Sequence, residues 1–292
     1  MFQDFASFEI EANGVTIHGV KGGDGPPVLL LHGYPQTHVM WHKVAPRLAQ
    51  DFTVVATDLR GYGDSSKPPS DPHHLTYSKR VMAQDQVEVM AQLGYNEFMV
   101  VGHDRGGRVG HRMALDHPQR VRRLAVLDIA PTLTMYRRAD MAFGLAYYHW
   151  FFLVQPAPLP ETLIGNSVDY YLRTRFERPG IAPESFTPAA VAEYLRCFRD
   201  RAGIHATCED YRAAATIDLA HDQADLDRQV ECPLLVLWGD KGFVGHAYDV
   251  VGVWRQRAAD VQGQALPCGH FLPEEAPDDT YDAVRGFLLK KA

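Results

Sequence analysis

The stretch FMVVGHDRGG, residues 98–107, decides the fold. Phe98 to Gly102 is a short apolar run of the kind that forms a strand buried on both faces. Residues 105–117 then carry helical periodicity. Between them stands Gly102-His103-Asp104-Arg105-Gly106. A strand, a glycine-bracketed turn and a helix form the frame of a nucleophile elbow, with aspartate where serine commonly stands. The glycines let the backbone reverse sharply, which lifts Asp104 above the sheet edge at a helix N-terminus, where a carboxylate is favoured. A glycine-bracketed aspartate can also do no more than cap a helix. As a nucleophile it points to one chemistry. Serine attacking a saturated carbon would leave a stable ether, whereas a carboxylate leaves an ester that water can cleave. Asp104 therefore points to displacement at alkyl carbon, either of a halide or of an epoxide oxygen.

Outward from the elbow, strand-like and helical stretches alternate. Apolar runs occur at Val28–Leu31, Phe52–Thr57, Phe98–Gly102 and Leu124–Leu127, and the strand signal returns at Pro233–Trp238 and around Val261–Leu266. Helical patterns are expected at 38–50, 76–93, 105–117 and 278–291. FEIEANGVTIHGVKG (8–22) alternates around Asn13-Gly14 and reads as a hairpin. Continuous apolar strands separated by helices predict a mostly parallel sheet covered on both faces. From 132 to 222 no strand-like run appears, aromatics crowd FGLAYYHWFFL (143–153), and prolines recur at 156, 158 and 160. The expected organisation is an α/β core, 1–131 with 223–292, carrying a helical cap at 132–222.

A base must activate the water that cleaves the ester. Of 14 histidines, His270 in PCGHFLPEEAP is selected by position, after the last apolar run and before the final helix. Two acids compete to orient it. Asp240 follows PLLVLWG, but the common W-G-x-x-D spacing would fall at 242, which is glycine. Asp128 closes the preceding strand in LDIAP and is favoured. For the oxyanion, the loop His32-Gly33-Tyr34-Pro35 after VLLL offers the Tyr34 N–H, with the Arg105 N–H as second donor. DLRGYGDS (58–65) is expected to shape the core and not the chemistry. Arg105 and Arg108 sit three apart on one helix face beside Asp104, where two guanidiniums could hold a substrate carboxylate in a fork. They would also offset repulsion between an anionic substrate and the anionic nucleophile. A salt bridge from Arg108 to an acidic surface residue is the plain alternative.

Together HGYP, DLRGYGDS, GHDRGGR, LDIAP and GHFLPEE resemble the fluoroacetate (haloacetate) dehalogenase family of the α/β-hydrolase fold, over nearly the whole chain. HGxP and GHDxG are shared with epoxide hydrolases; GHDRGGR with the acid at LDIAP discriminates better. The resemblance implies hydrolysis of fluoroacetate or chloroacetate to glycolate and halide. It assigns halide binding to His149, Trp150 and Tyr211, and it suggests a homodimer formed through the cap. By composition alone the 143–153 aromatics read as core.

No cofactor and no metal are expected. A net charge of -7, from 29 basic and 36 acidic residues, gives no reason for a nucleic-acid or anionic-membrane partner. Cys197, Cys208, Cys232 and Cys268 form no CxxC pair and read as reduced thiols in the cytoplasm. The first residues lack a signal-peptide pattern, and no run of about 18 apolar residues exists. Two rivals remain. An epoxide hydrolase would use the same nucleophile and a cap tyrosine; a non-catalytic receptor would need no complete set of nucleophile, acid and base.

Overall fold

Asn13 and Gly14 adopt positive φ (48° and 77°), as the two central residues of a tight hairpin turn do. They join strand β1 (Ala6–Ala12) to β2 (Val15–Gly22) in antiparallel register, Ala12 opposite Val15. In this computed structural model, which describes residues 1–178 and 180–290, six further strands follow. They are β3 (Pro27–Leu31), β4 (Thr53–Thr57), β5 (Phe98–His103), β6 (Val121–Leu127), β7 (Leu234–Gly239) and β8 (Val261–Leu266). The sheet order is β1-β2-β4-β3-β5-β6-β7-β8, antiparallel at β1/β2/β4 and parallel elsewhere. β4 and β5 are buried at every position, as their unbroken apolar pattern requires.

This order positions the site. The chain runs from β3 outward to β4, then returns across β3 to β5. The crevice at the carboxyl ends of β3 and β5, where Leu31 pairs with Gly102, is thus a topological switch point, the usual place for a ligand in such sheets. The loop carrying Tyr34 leaves β3 there and Asp104 leaves β5 there.

Helices Lys79–Gln92, Arg105–Asp116 and Pro277–Leu288 fill three of the expected helical stretches. The stretch 38–50 departs from expectation. It forms a 3-10 turn, His38–Trp41, and a single helical turn, Ala45–Leu48. Pro46 lacks an amide donor and its ring clashes with a preceding helical turn, so a helix can begin there but cannot pass through it.

Between β6 and β7 the described residues form helices and one 3-10 turn. The insert begins with Thr132–Arg137 and ends with Arg201–Ala215 and Ile217–Ala224, so its last helix runs two residues past the expected boundary at 222. Among the described residues no helix is long and apolar enough to cross a membrane.

Candidate active site

Asp104 sits at φ 45°, ψ −113°, a conformation that is costly for any residue with a side chain. The surrounding backbone imposes it. A Cβ on Gly102 would lie 2.4 Å from the Gly106 carbonyl oxygen, and one on Gly106 would lie 2.5 Å from those of Leu31 and His32. Both positions must therefore be glycine. The Asp104 side chain makes no capping bond to its own helix. Its Oδ2 instead accepts the Tyr34 N–H at 3.1 Å. Burial alone would raise the Asp104 pKa, but His270 foremost, with Arg108 and Arg105, holds it below the ordinary carboxylate value. The Arg105 N–H opens the helix and has no acceptor within it.

His270 Nδ1 lies 2.6 Å from Asp128 Oδ2, and Asp128 Oδ1 accepts the Gly239 N–H at 3.1 Å. A carboxylate only accepts, so Nδ1 carries the proton and Nε2 is left as a base. Burial pulls the His270 pKa down, yet the bond to Asp128 and the charges of Asp128 and Asp104 outweigh it, and the net shift is upward. Asp240, the competing acid, is exposed. Where W-G-x-x-D would place an acid stands Gly242, whose Cβ would lie 3.5 Å from Asp128 Oδ1. The space of that missing side chain adjoins the carboxylate that faces His270. His103, which the sequence did not single out, donates from Nε2 to the His270 carbonyl at 2.8 Å. Burial first, then the charge of His270, pushes His103 down to about 3, so it is a neutral strut.

The arginines differ from the expected open fork. Arg105 is fully buried and already gripped by Asp210: Nε donates to Oδ2 at 2.9 Å and Nη2 to Oδ1 at 2.5 Å, with a further bond to the Asp210 carbonyl. Its guanidinium stacks 4.2 Å from the Tyr211 ring, and only Nη1 lacks a partner. Arg108 bonds no surface acid. Its Nη1 donates to the Ala130 carbonyl (3.1 Å) and Thr132 Oγ1 (2.9 Å), its plane lies over Trp150, and Nε is buried without a partner. Two side chains so committed cannot close as free forks. Each keeps one unpaired nitrogen, Nη1 of Arg105 and Nε of Arg108.

Asp104, Asp128, His270 and Arg108 line one cavity of about 20 Å³, together with Tyr34 and, from the helical insert, His149 and Trp150. By the same measure a single water needs roughly 10–15 Å³. Tyr211 packs edge-on against Tyr34, His149 and Trp150, with ring centroids 5.3, 5.8 and 6.2 Å away. Tyr211 Oη and His149 Nδ1 are buried without partners. Burial, then Arg175 and Arg178, holds the His149 pKa well below its ordinary value, which leaves a neutral ring. Arg175, Arg178, Tyr147 and Phe271 complete the lining. Sequence reasoning missed these; the one signal was the i, i+3 pair of arginines in RTRFER. A larger opening of about 640 Å³ shares Arg178 but contains neither Asp104 nor His270, and Phe271 packs against its Phe176 and Phe186. The chemistry belongs to the smaller cavity, which holds the buried carboxylate and imidazole.

Among the described residues one group has metal-ligand character: His18, His38 and Asp58. Its donors are spent on one another, with the two Nδ1 atoms 3.2 and 2.9 Å from the Asp58 oxygens. Asp58 also accepts the His38 and Asp64 N–H groups, so DLRGYGDS organises a loop.

Residues 26–277 match the family model of the alpha/beta hydrolase fold. The chain is 49% identical to a fluoroacetate dehalogenase from Burkholderia sp. over 99% of its own length and 95% of that protein's. The chain belongs to the fluoroacetate dehalogenase family of α/β hydrolases. It is also 36% identical to a soluble epoxide hydrolase from Corynebacterium sp. (strain C12), over 94% of each chain. Among solved structures it resembles one from Nostoc sp PCC 7120, described only as an alpha/beta hydrolase. That likeness has a TM-score of 0.98 and 64% identity, and covers 100% of both chains. The chain is thus a hydrolase of the α/β-hydrolase fold.

Proposed function

We propose that the protein hydrolyses the carbon–halogen bond of a small haloacid such as fluoroacetate or chloroacetate, through an ester on Asp104. One observation carries the reading. The elbow carboxylate faces a cavity of about 20 Å³ lined by Arg108 and His149, whose Nε and Nδ1 are buried and unpaired; behind that lining lie Tyr211 and Arg105, whose Oη and Nη1 are buried and unpaired too. Unsatisfied buried donors are costly, and an anionic substrate with its departing halide would satisfy them.

Arg105 Nη1 and Arg108 Nε hold the substrate carboxylate. Asp104 Oδ1 attacks the α-carbon in line with the carbon–halogen bond; a C–O bond forms as the C–X bond breaks, and the halide leaves with the electron pair. His149, Trp150 and Tyr211 receive it as N–H and O–H donors. His270 Nε2 then takes a proton from water, whose oxygen adds to the Asp104 carboxyl carbon. The negative charge develops on Oδ2, facing the Tyr34 and Arg105 N–H groups. Collapse breaks the ester bond, and the glycolate oxygen takes its proton from the His270 imidazolium. Glycolate leaves with the original Oδ1, while the oxygen of water stays in Asp104, whose carboxyl releases the second proton of that water to solvent and returns to the carboxylate. No metal or organic cofactor enters these steps.

Residues 132–222 act as the cap that closes the cavity. Exposed Met141, Leu145, Leu163 and Tyr170 on the insert support a homodimer formed through it, which analytical ultracentrifugation tests. Four unpaired cysteines support a reducing, cytoplasmic compartment.

Epoxide hydrolysis is the rival, favoured by the tyrosines around Asp104 and by the epoxide hydrolase relative. A neutral epoxide leaves the unpaired arginine donors unsatisfied. Ion-selective electrodes should record fluoride or chloride release from the two haloacetates, with no diol formed from styrene oxide. Diol without halide would reverse the assignment.

A further inference from the structure

Most buried arginines find a counter-charge; among the described residues Arg123, near the start of β6 and bonded to the Lys290 carbonyl, and Arg175 do not. Arg60 pairs with Asp85, Arg105 with Asp210, Arg112 with Asp225 and Arg212 with Glu209. Arg108 has Asp104 as its neighbouring negative charge. Arg175 is 4% exposed and lines the catalytic cavity, yet among the described residues no carboxylate lies within ion-pair distance of it. Its Nη2 donates to the neutral hydroxyls of Tyr148 and Thr174, its plane lies over the Tyr148 and Tyr171 rings, and Nη1 is buried with no partner.

Arg178, just past the end of the helix Val168–Phe176 that carries Arg175, compounds the deficit. It lines the same cavity, donates from Nε to the Thr174 carbonyl at 3.2 Å, and likewise has no carboxylate partner among the described residues. Burying one unpaired guanidinium is expensive, and placing a second cation beside it adds repulsion. Two π-faces and a few hydroxyls recover only part of that cost. A bound anion would offset the rest.

We propose that Arg175 and Arg178 form a second anion site, on the cap side of the catalytic cavity, that takes small monovalent anions. It is distinct from the Arg105/Arg108 donors, which belong to the elbow helix. The pair also borders the outer opening, through Arg178, so an ion held there lies between that opening and the buried carboxylate of Asp104. In turnover the site would draw the carboxylate of the substrate inward or receive the halide on its way out. That role rests on the haloacid reading; the binding itself does not.

The test is calorimetric titration of the intact protein with potassium bromide and, separately, with sodium acetate, an unreactive carboxylate. The wild type is compared with Arg175→Gln, Arg178→Gln and the double variant, each first checked by circular dichroism. Loss of a charge-assisted contact should weaken binding about tenfold or more. Weakening confined to bromide assigns the site to departing halide; weakening confined to acetate assigns it to incoming carboxylate. Either supports the site. Unchanged affinity for both anions in the double variant overturns it. If Arg175→Gln does not fold, Arg178→Gln and the charge-retaining Arg175→Lys carry the comparison. Failure of the haloacid reading is separately visible, as absence of halide release from any haloacetate by wild-type protein that still binds bromide.

Discussion

Asp210 holds Arg105 by two hydrogen bonds to its carboxylate and one to its carbonyl, tying the helix after the nucleophile to a helix of the cap. Neither side chain is exposed, and Lys79 and the Tyr62 hydroxyl also bond the same carboxylate. Three groups of the core thus converge on one buried charge of the cap. The grip fixes the plane of Arg105 and leaves Nη1 as its one unpaired nitrogen.

Asp210→Asn should therefore injure both stability and substrate capture. Removing the charge leaves Arg105 buried without compensation and Lys79 with Asp218 as its remaining carboxylate, a loss of about 3–5 kcal/mol. Thermal denaturation should show a large drop in Tm. In the protein that remains folded, KM for chloroacetate should rise more than kcat falls.

Asp128→Asn should separate the two chemical steps. The amide can still reach the Gly239 N–H through its oxygen, but it no longer fixes the His270 tautomer or stabilises the imidazolium. Loss of orienting charge in such triads costs about 10⁴ in rate. Rapid-quench measurements should show one equivalent of halide per site, then arrest. Steady release at the wild-type rate would remove Asp128 from the mechanism.

The pH profile follows from the His270 shift. Its pKa is raised above 6.5 in the free enzyme, so the imidazole protonates at higher pH than usual and the base is lost as pH falls. Part of that shift comes from the charge of Asp104, which disappears once Asp104 is esterified. His270 should become less basic at the moment it must act as a base. The acid limb of ester hydrolysis, measured by single turnover, should lie below the His270 pKa found by NMR in the resting enzyme. Coincident values would show that Asp104 stays charged throughout.

His149→Phe keeps an aromatic ring of similar bulk and removes the donor. A hydrogen bond to a charged acceptor is worth about 1.5–3 kcal/mol, or roughly tenfold to a hundredfold in rate. Fluoride, the stronger acceptor and poorer leaving group, should suffer more than chloride. Equal losses for both would place His149 in packing alone.

Much of this was legible in residue order because local rules and the global fold agree. The apolar runs within β3 to β7 are short, unbroken and punctuated, whereas the edge strand β8 (VQGQAL) is broken by two glutamines; the Asn13-Gly14 turn admits almost one reading. The elbow announces itself, since two glycines around an acid between strand and helix have few other uses. The failures have physical causes as well. Asp210 lies 105 positions from Arg105, and no periodicity reports a pairing made only when the cap closes on the core. Arg175 and Arg178 look like ordinary solvated charges in sequence; only the fold turns them toward the cavity. The helical pattern over 38–50 was overridden at Pro46.

The central claim is that Asp104 carries the substrate as an ester, and isotopic oxygen tests it most directly. A single turnover of chloroacetate with excess enzyme in H₂¹⁸O should give glycolate whose new hydroxyl holds ¹⁶O, with ¹⁸O appearing in the peptide that contains Asp104. Glycolate labelled with ¹⁸O in that first turnover, beside an unlabelled Asp104 peptide, would mean that water attacks the carbon directly and would contradict the account.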